Sequence, residues 1–205
     1  MAHHVRRICL DMEYMHIPQG SVIASRTDRF RTNVGLQRNG RVIVRKACIS
    51  DVREILELLN GFTKSHAILP RGPQYIFENI RDFFVATERP DDGGNRETCE
   101  DEVLPIVACG SLHIIWEDLA EVRSMVTHQE FQGRGIGKRL IDDMKREAKS
   151  LGIKKLFVFT MAEGFFRALG FEPKRREDLP EKLWGECSWC PKYFKCNEVG
   201  MLLKI

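Results

Sequence analysis

The chain has 205 residues, 43% of them hydrophobic and 30% charged, which suits one sizeable core and leaves too little for two large domains. Its 32 Lys and Arg against 29 Asp and Glu give a net charge of +3, too mild for nucleic-acid binding to follow from charge. The start, MAHHVRRICLDMEYMHIP, has no apolar stretch of signal-peptide length, and no later run is long enough to cross a bilayer. A cytoplasmic protein with neither membrane nor nucleic acid as partner is therefore expected.

Residues 1–40 mix charge, Gly, Ser and Thr without sustained periodicity and are read as an N-terminal extension. The folded domain is expected over 41–205. It opens with the β-branched strand RVIVRKA, then a helix in SDVREILELLNGF, with Ser50 or Asp51 as N-cap and Ile55, Leu58, Leu59 and Phe62 on one face. GPQYIFENI reads as a short second helix with Pro73 near its start, and DFFVATE as a strand entering the polar loop RPDDGGNRETCEDE. VLPIVACGSLHIIW and LAEVRSMVTH are two strands joined by an acidic turn, most simply an antiparallel pair. Ile136, Leu140, Met144, Ala148 and Leu151 then form the apolar stripe of an amphipathic helix ending near Gly152. KKLFVFT is a buried strand, AEGFFRALGF a short helix stopped by Gly170, and EVGMLLKI a closing strand. The order, strand, two helices, three strands, helix, strand, helix, strand, is α/β of mixed type.

Between the fourth strand and the long helix lies FQGRGIGKR. A P-loop needs four residues between its first Gly and the Gly-Lys and then Ser or Thr; Gly133 and Gly137 have three between them, and Arg139 follows Lys138. A dinucleotide fingerprint needs G-x-G-x-x-G after a strand of a parallel unit, whereas Gly133, Gly135 and Gly137 alternate after an antiparallel pair. The pattern that survives is Gln132-x-x-Gly135-x-Gly137 at a strand-to-helix junction. Small residues let the backbone approach an anion, the first-turn N–H groups of the helix point at it, and the macrodipole favours it. A pyrophosphate fits this description, with Arg134, Lys138 and Arg139 adding charge.

These residues, with FFRALGF about thirty residues on, resemble the acetyl-CoA-binding core of the GNAT superfamily of N-acetyltransferases. GSLHIIWEDLAEVRSM, FQGRGIGKRLID and LPEKLWGECSWCPKYFKC are similar, more narrowly, to the short stand-alone N-acetylglutamate synthases that open bacterial arginine biosynthesis. The resemblance spans residues 41–205. It implies an α+β GNAT fold whose mixed, mostly antiparallel sheet is splayed between strands 4 and 5, with helices on both faces. It implies acetyl-CoA as cosubstrate, held by Gln132, Gly133, Arg134, Gly135, Ile136, Gly137 and Lys138, with the backbone N–H groups of Met125 and Val126 facing the thioester and pantetheine. It also implies an amino-acid acceptor, L-glutamate or glutamine, and direct attack of its amine on the thioester. A homodimer is compatible with the sequence.

Strict alternation along AEVRSMV puts Glu121, Arg123 and Met125 on one face and Val122, Ser124 and Val126 on the other. Glu121 is the candidate general base, acting through water, because a carboxylate in a partly dry cleft is a stronger base than one in water; an ion pair with Arg123 is the alternative. Arg71, in LPRGPQ ahead of the second helix, and Arg123 are the candidate binders of the acceptor's carboxylates, with Gln74 as a further polar contact. Arg71 read blandly is a solvated loop cation. The family's usual acid, a tyrosine four residues before the Gly-Phe of the last helix, is replaced by Phe166, and Thr160 at a strand end is a substitute donor or a structural residue. Without that hydroxyl the CoA thiolate leaves unassisted or is protonated by solvent, which the pKa near 8.5 of a thiol makes tolerable.

Of the seven cysteines, Cys9, Cys48, Cys99 and Cys109 are scattered, as reduced intracellular thiols usually are. Cys187, Cys190 and Cys196, in the segment 179–198, form a CxxC with a third Cys and no obvious fourth ligand, so zinc, a redox-sensitive group and reduced thiols all stay open. Other acceptors (a polyamine, an antibiotic, a protein N-terminus) and a silent acetyl-CoA-binding module are the rival readings.

Overall fold

The computed structural model describes residues 41–63, 71–89, 105–175, 178 and 193–205. The strands are β1 (Arg41–Lys46), β2 (Phe83–Arg89), β3 (Ile106–Trp116), β4 (Leu119–Thr127), β5 (Lys155–Thr160), β6 (Glu172–Lys174) and β7 (Val199–Lys204). The helices are α1 (Val52–Thr63), α2 (Pro73–Glu78), α3 (Ile136–Ser150) and α4 (Glu163–Ala168). They follow the expected order with one addition. β6 carries Pro173, which cannot donate to a ladder, and it sits at the edge of the sheet where that loss is tolerated.

The sheet runs β1-β2-β3-β4-β5-β7-β6, with every neighbouring pair antiparallel except β4 and β5. Val52, Ile55, Leu58 and Leu59 of α1 and Ile76 of α2 form one apolar cluster with Phe83, Val85, Ile106, Cys109 and Val126 of the sheet. α3 packs on the opposite face. Gly110 follows Cys109 and so points the other way, where a Cβ would run into Met144 of α3 and Met125 of β4. Glycine there lets the long helix lie close to the sheet.

α1 begins through a 3-10 turn, Ile49–Asp51, with Cys48 at its N-cap. Asp51 does not cap from the expected position. Its carboxylate reaches back to the Cys48 N–H at 2.8 Å and is gripped by Arg45 Nη1 at 2.6 Å. In α3 the stripe of Ile136, Leu140, Met144 and Ala148 is buried as the periodicity requires, and Ile141 joins it. Leu151 is 56% exposed because the helix has ended: it is the C-cap residue, Gly152 turns the chain at φ +80°, and Ile153 takes the buried place. Cys48, expected to be a reduced thiol, is disulfide-bonded, while Cys109 and Cys196 are free. Among the described residues no helix is long and apolar enough to cross a membrane.

Candidate active site

β4 and β5 pair only through Leu119–Lys155, Ala120–Leu156 and Glu121–Phe157. Beyond that point β5 stays with β7 through Val158, Phe159 and Thr160, and β4 stays with β3. The two parallel strands therefore part just after Glu121, which opens the expected notch between strands 4 and 5.

Along β4, Arg123 pairs with Ser111 and Val126 with Cys109, so Ser124 and Met125 together face the single residue Gly110. This is a β-bulge, and Ser124 takes φ +53°, a left-handed conformation that a side chain rarely adopts. The bulge overturns the expected alternation. Val126 joins Cys109 in the cluster under α1 and α2, on the face that carries Glu121 and Arg123, whereas Met125 turns to Gly110 and α3. Backbone N–H groups beside a bulge are released from the ladder, which is what a strand needs in order to donate to a ligand. The isolated glycine inside β3 was the sequence signal for it.

Glu121 is buried, 9% exposed, and pairs with Arg123, whose Nη2 lies 2.6 Å and Nε 2.7 Å from Glu121 Oε2. The ion pair read as an alternative is thus present. Along the same face, Leu119 and Phe157 form a second apolar cluster with Ile115, Phe159 and Leu202. The carboxylate sits where that dry patch meets the open notch.

After β4 the chain makes a 3-10 turn, Gln129–Phe131, and buries Phe131 as an anchor. Gln132 Nε2 donates to the Thr127 carbonyl at 3.1 Å and ties the loop to the strand end. Gly133 and Gly135 have φ of +76° and +75°, and a Cβ at either would meet nothing within 4 Å. Backbone twist, rather than crowding, demands glycine here, and the loop faces open space. Gly135 is the N-cap of α3, so the N–H groups of Ile136, Gly137 and Lys138 have no partner within the helix. Ile136 is buried and fixes the helix start, and the Phe165 ring of α4 lies over Gly137.

The loop's cations are held in place. Arg134 Nη1 is 3.0 Å from Glu88 Oε1, with its guanidinium 4.7 Å above the Phe131 ring, and Lys138 Nζ is 2.6 Å from Asp142 Oδ2. Arg139 departs from expectation: its Nη1 donates to the Val42 carbonyl at 3.0 Å, so the side chain is directed to β1.

Arg71 lies just before α2, its guanidinium 4.2 Å above the Tyr75 ring, and Tyr75 packs against the cluster that contains Val126. Gln74 is engaged with Glu78, Nε2 to Oε1 at 2.8 Å, on an exposed surface. Phe166 is buried, edge-on to Phe165 and Phe171 at 5.0 and 5.2 Å, and offers no hydroxyl. Thr160 Oγ1 accepts from the Ala162 N–H at 2.9 Å, a turn-closing bond consistent with a structural residue. Cys187 and Cys190 lie outside the described residues. Cys196 Sγ is 3.9 Å from Glu198 Oε2, and among the described residues no group of three potential ligands gathers to hold a metal. Two residues that the sequence reading missed, His113 and Asp82, meet on the Glu121 face at 2.7 Å.

The model of the GNAT acetyltransferase family matches residues 52–171, more than half of the chain. An uncharacterised N-acetyltransferase of Chlorobaculum tepidum is 31% identical over 159 residues, covering 78% of this chain and 94% of its own. An amino-acid acetyltransferase of Mycobacterium tuberculosis is 32% identical over 134 residues, covering 65% of this chain and 70% of its own. The fold also matches the N-acetylglutamate synthase of Neisseria gonorrhoeae complexed with coenzyme A and N-acetyl-glutamate, with a TM-score of 0.66 and 21% identity over 82% of this chain and 36% of that one. Splayed strands, bulge, glycine loop and sequence matches agree: the chain belongs to the GNAT family of acetyltransferases and is an acyltransferase.

Proposed function

We propose that this protein transfers the acetyl group of acetyl-CoA to the α-amino group of L-glutamate, or of glutamine, in the cytoplasm, as the first step of arginine biosynthesis. The observation that carries the reading is the parting of β4 and β5 beside the open N-terminus of α3, with two arginines on the α1 and α2 side of the sheet. The N. gonorrhoeae synthase of the same fold is complexed with CoA and N-acetyl-glutamate.

On this reading the pyrophosphate of acetyl-CoA lies on the backbone N–H groups from Gly133 to Lys138, with Arg134 and Lys138 supplying charge. The pantetheine arm runs along β4, where the N–H groups of Met125 and Val126, at the bulge, donate to it and to the thioester carbonyl. An acceptor amino acid brings one or two carboxylates. Arg71 and Arg123 are the cations offered to them, and a guanidinium meets a carboxylate through two parallel bonds. The amine must be neutral to attack, and Glu121 accepts its proton through water. With Phe166 in place of a hydroxyl donor, the thiolate departs unassisted and takes its proton from solvent.

Cationic groups in this position oppose a polyamine acceptor. The test is thiol release from acetyl-CoA across amino acids, polyamines and N-terminal peptides, with Arg71→Ala alongside. Turnover with glutamate or glutamine that collapses in Arg71→Ala supports the proposal; turnover confined to polyamines or peptides contradicts it, and so does CoA binding without any turnover.

A further inference from the structure

Glu121 must lose the proton it accepts before it can act again, and its surroundings restrict how. Its side chain is 12% exposed, Arg123 holds one oxygen, and the apolar cluster of Leu119 and Phe157 lies beside it on the same face. Across the β3–β4 pair, directly opposite Glu121, stands His113. Opposed residues on one face have Cβ atoms about 5 Å apart, within reach for long side chains directly or through a water.

His113 is not idly placed. Its Nδ1 lies 2.7 Å from Asp82 Oδ2, and Asp82 closes the Ile80–Asp82 turn that leads from α2 into β2. A carboxylate on Nδ1 selects the tautomer with its N–H there, so Nε2 carries the lone pair. His113 and Asp82 are 31% and 27% exposed against 12% for Glu121, so the pair is open to solvent where the carboxylate is not. Among the described residues, Asp82 from the turn before β2 bonds to His113, and Glu121 of β4 stands opposite it with Arg123 as its ion-pair partner.

We propose that His113, oriented by Asp82, is a relay that carries the acceptor's proton from Glu121 to solvent. The amine's N–H bond breaks as a Glu121 O–H bond forms; that O–H bond breaks as an N–H bond forms at His113 Nε2; the imidazolium then gives its proton to water, and both groups return to their starting states. No further reactant is required. His113 acts through Glu121 and is a positioning and relay residue. The proposal rests on Glu121 as base and holds for any amine acceptor.

The experiment measures steady-state thiol release with the best amine acceptor, across the neutral pH range, for the unaltered protein, His113→Gln, Asp82→Asn, Glu121→Gln and the His113→Gln/Glu121→Gln double variant. His113→Gln should lower kcat by roughly tenfold to a hundredfold, leave KM for acetyl-CoA unchanged and flatten the rise of rate with pH. Added imidazole should restore much of the loss, which it would not do for a residue that only braces the fold. The double variant should be no slower than the slower single variant, because the two residues act in series. A full rate in His113→Gln, a loss that imidazole does not restore, or losses that multiply in the double variant would each overturn the relay. If His113→Gln does not fold, Asp82→Asn decides, since a full kcat in it overturns the proposal and a severalfold loss at constant KM sustains it. Glu121→Gln at the unaltered rate removes the base assignment itself, whereas a slow Glu121→Gln beside a fast His113→Gln removes only the relay.

Discussion

Arg123 lays two nitrogens on one oxygen of Glu121, Nη2 at 2.6 Å and Nε at 2.7 Å, with both side chains nearly buried at the point where β4 leaves β5. Geometry of this kind gives the carboxylate a fixed direction, which a base needs, and also makes the pair a structural unit. Glu121→Gln keeps the shape and should lower kcat by about a hundredfold while acetyl-CoA affinity changes little. Arg123→Met takes one partner from a buried carboxylate and should lower stability more than Glu121→Gln does. Urea unfolding and steady-state rates on both variants check this; an unaltered rate in folded Glu121→Gln would reduce Glu121 to Arg123's partner.

Ser124, at φ +53°, sets the bulge. A left-handed conformation costs an L-residue about 1–2 kcal/mol that glycine does not bear. Ser124→Gly should therefore match or exceed the unaltered stability by up to about 1 kcal/mol, since glycine's extra chain entropy offsets part of the gain. Ser124→Val should lower both stability and turnover, because a β-branched residue resists that φ. Denaturant midpoints measure the first effect and thiol release the second. Full activity in Ser124→Val would mean that the bulge is not needed for catalysis.

Gly135 also has positive φ, +75°, with open space where a Cβ would go. In Gly135→Val the harm comes from backbone strain of about 1–2 kcal/mol and from a side chain standing in the anion's approach. Calorimetry with CoA should show at least a tenfold weaker affinity in a protein that still folds. Unchanged affinity would remove the loop from the cofactor site.

The order of elements was legible because hydrophobic periodicity is a local property: Ile55, Leu58 and Leu59, and Ile136, Leu140 and Met144, are buried where spacing put them. The glycine loop was legible because alternating glycines at a strand-to-helix junction have few other uses. What escaped depends on partners far along the chain. Alternation placed Met125 beside Glu121, but register across to Gly110 inserts the bulge and turns it away. Arg139 looked like a phosphate ligand, but its guanidinium donates to the carbonyl of Val42, 97 residues distant. His113 and Asp82 are 31 residues apart and are joined only by strand pairing.

Cys109 lies in the cluster with Val126, and burial pushes its thiol up to about 12. Only the thiolate reacts quickly, so at neutral or mildly alkaline pH Cys109 should stay unmodified in the native protein and react once it is unfolded. Alkylation followed by mass spectrometry of the Cys109 peptide reads this out. Rapid native labelling would mean that the face beneath α1 and α2 opens readily.

Acceptor choice is read out by giving the protein acetyl-CoA and an equimolar mixture of L-glutamate, L-glutamine, a polyamine and an N-terminal peptide, then identifying the acetylated products by mass spectrometry. Competition in one vessel reports the ratio of kcat/KM values without separate calibration. N-acetylglutamate or N-acetylglutamine should be the dominant product, with its formation abolished in Arg71→Ala. Acetylated polyamine or peptide as the dominant product would contradict it.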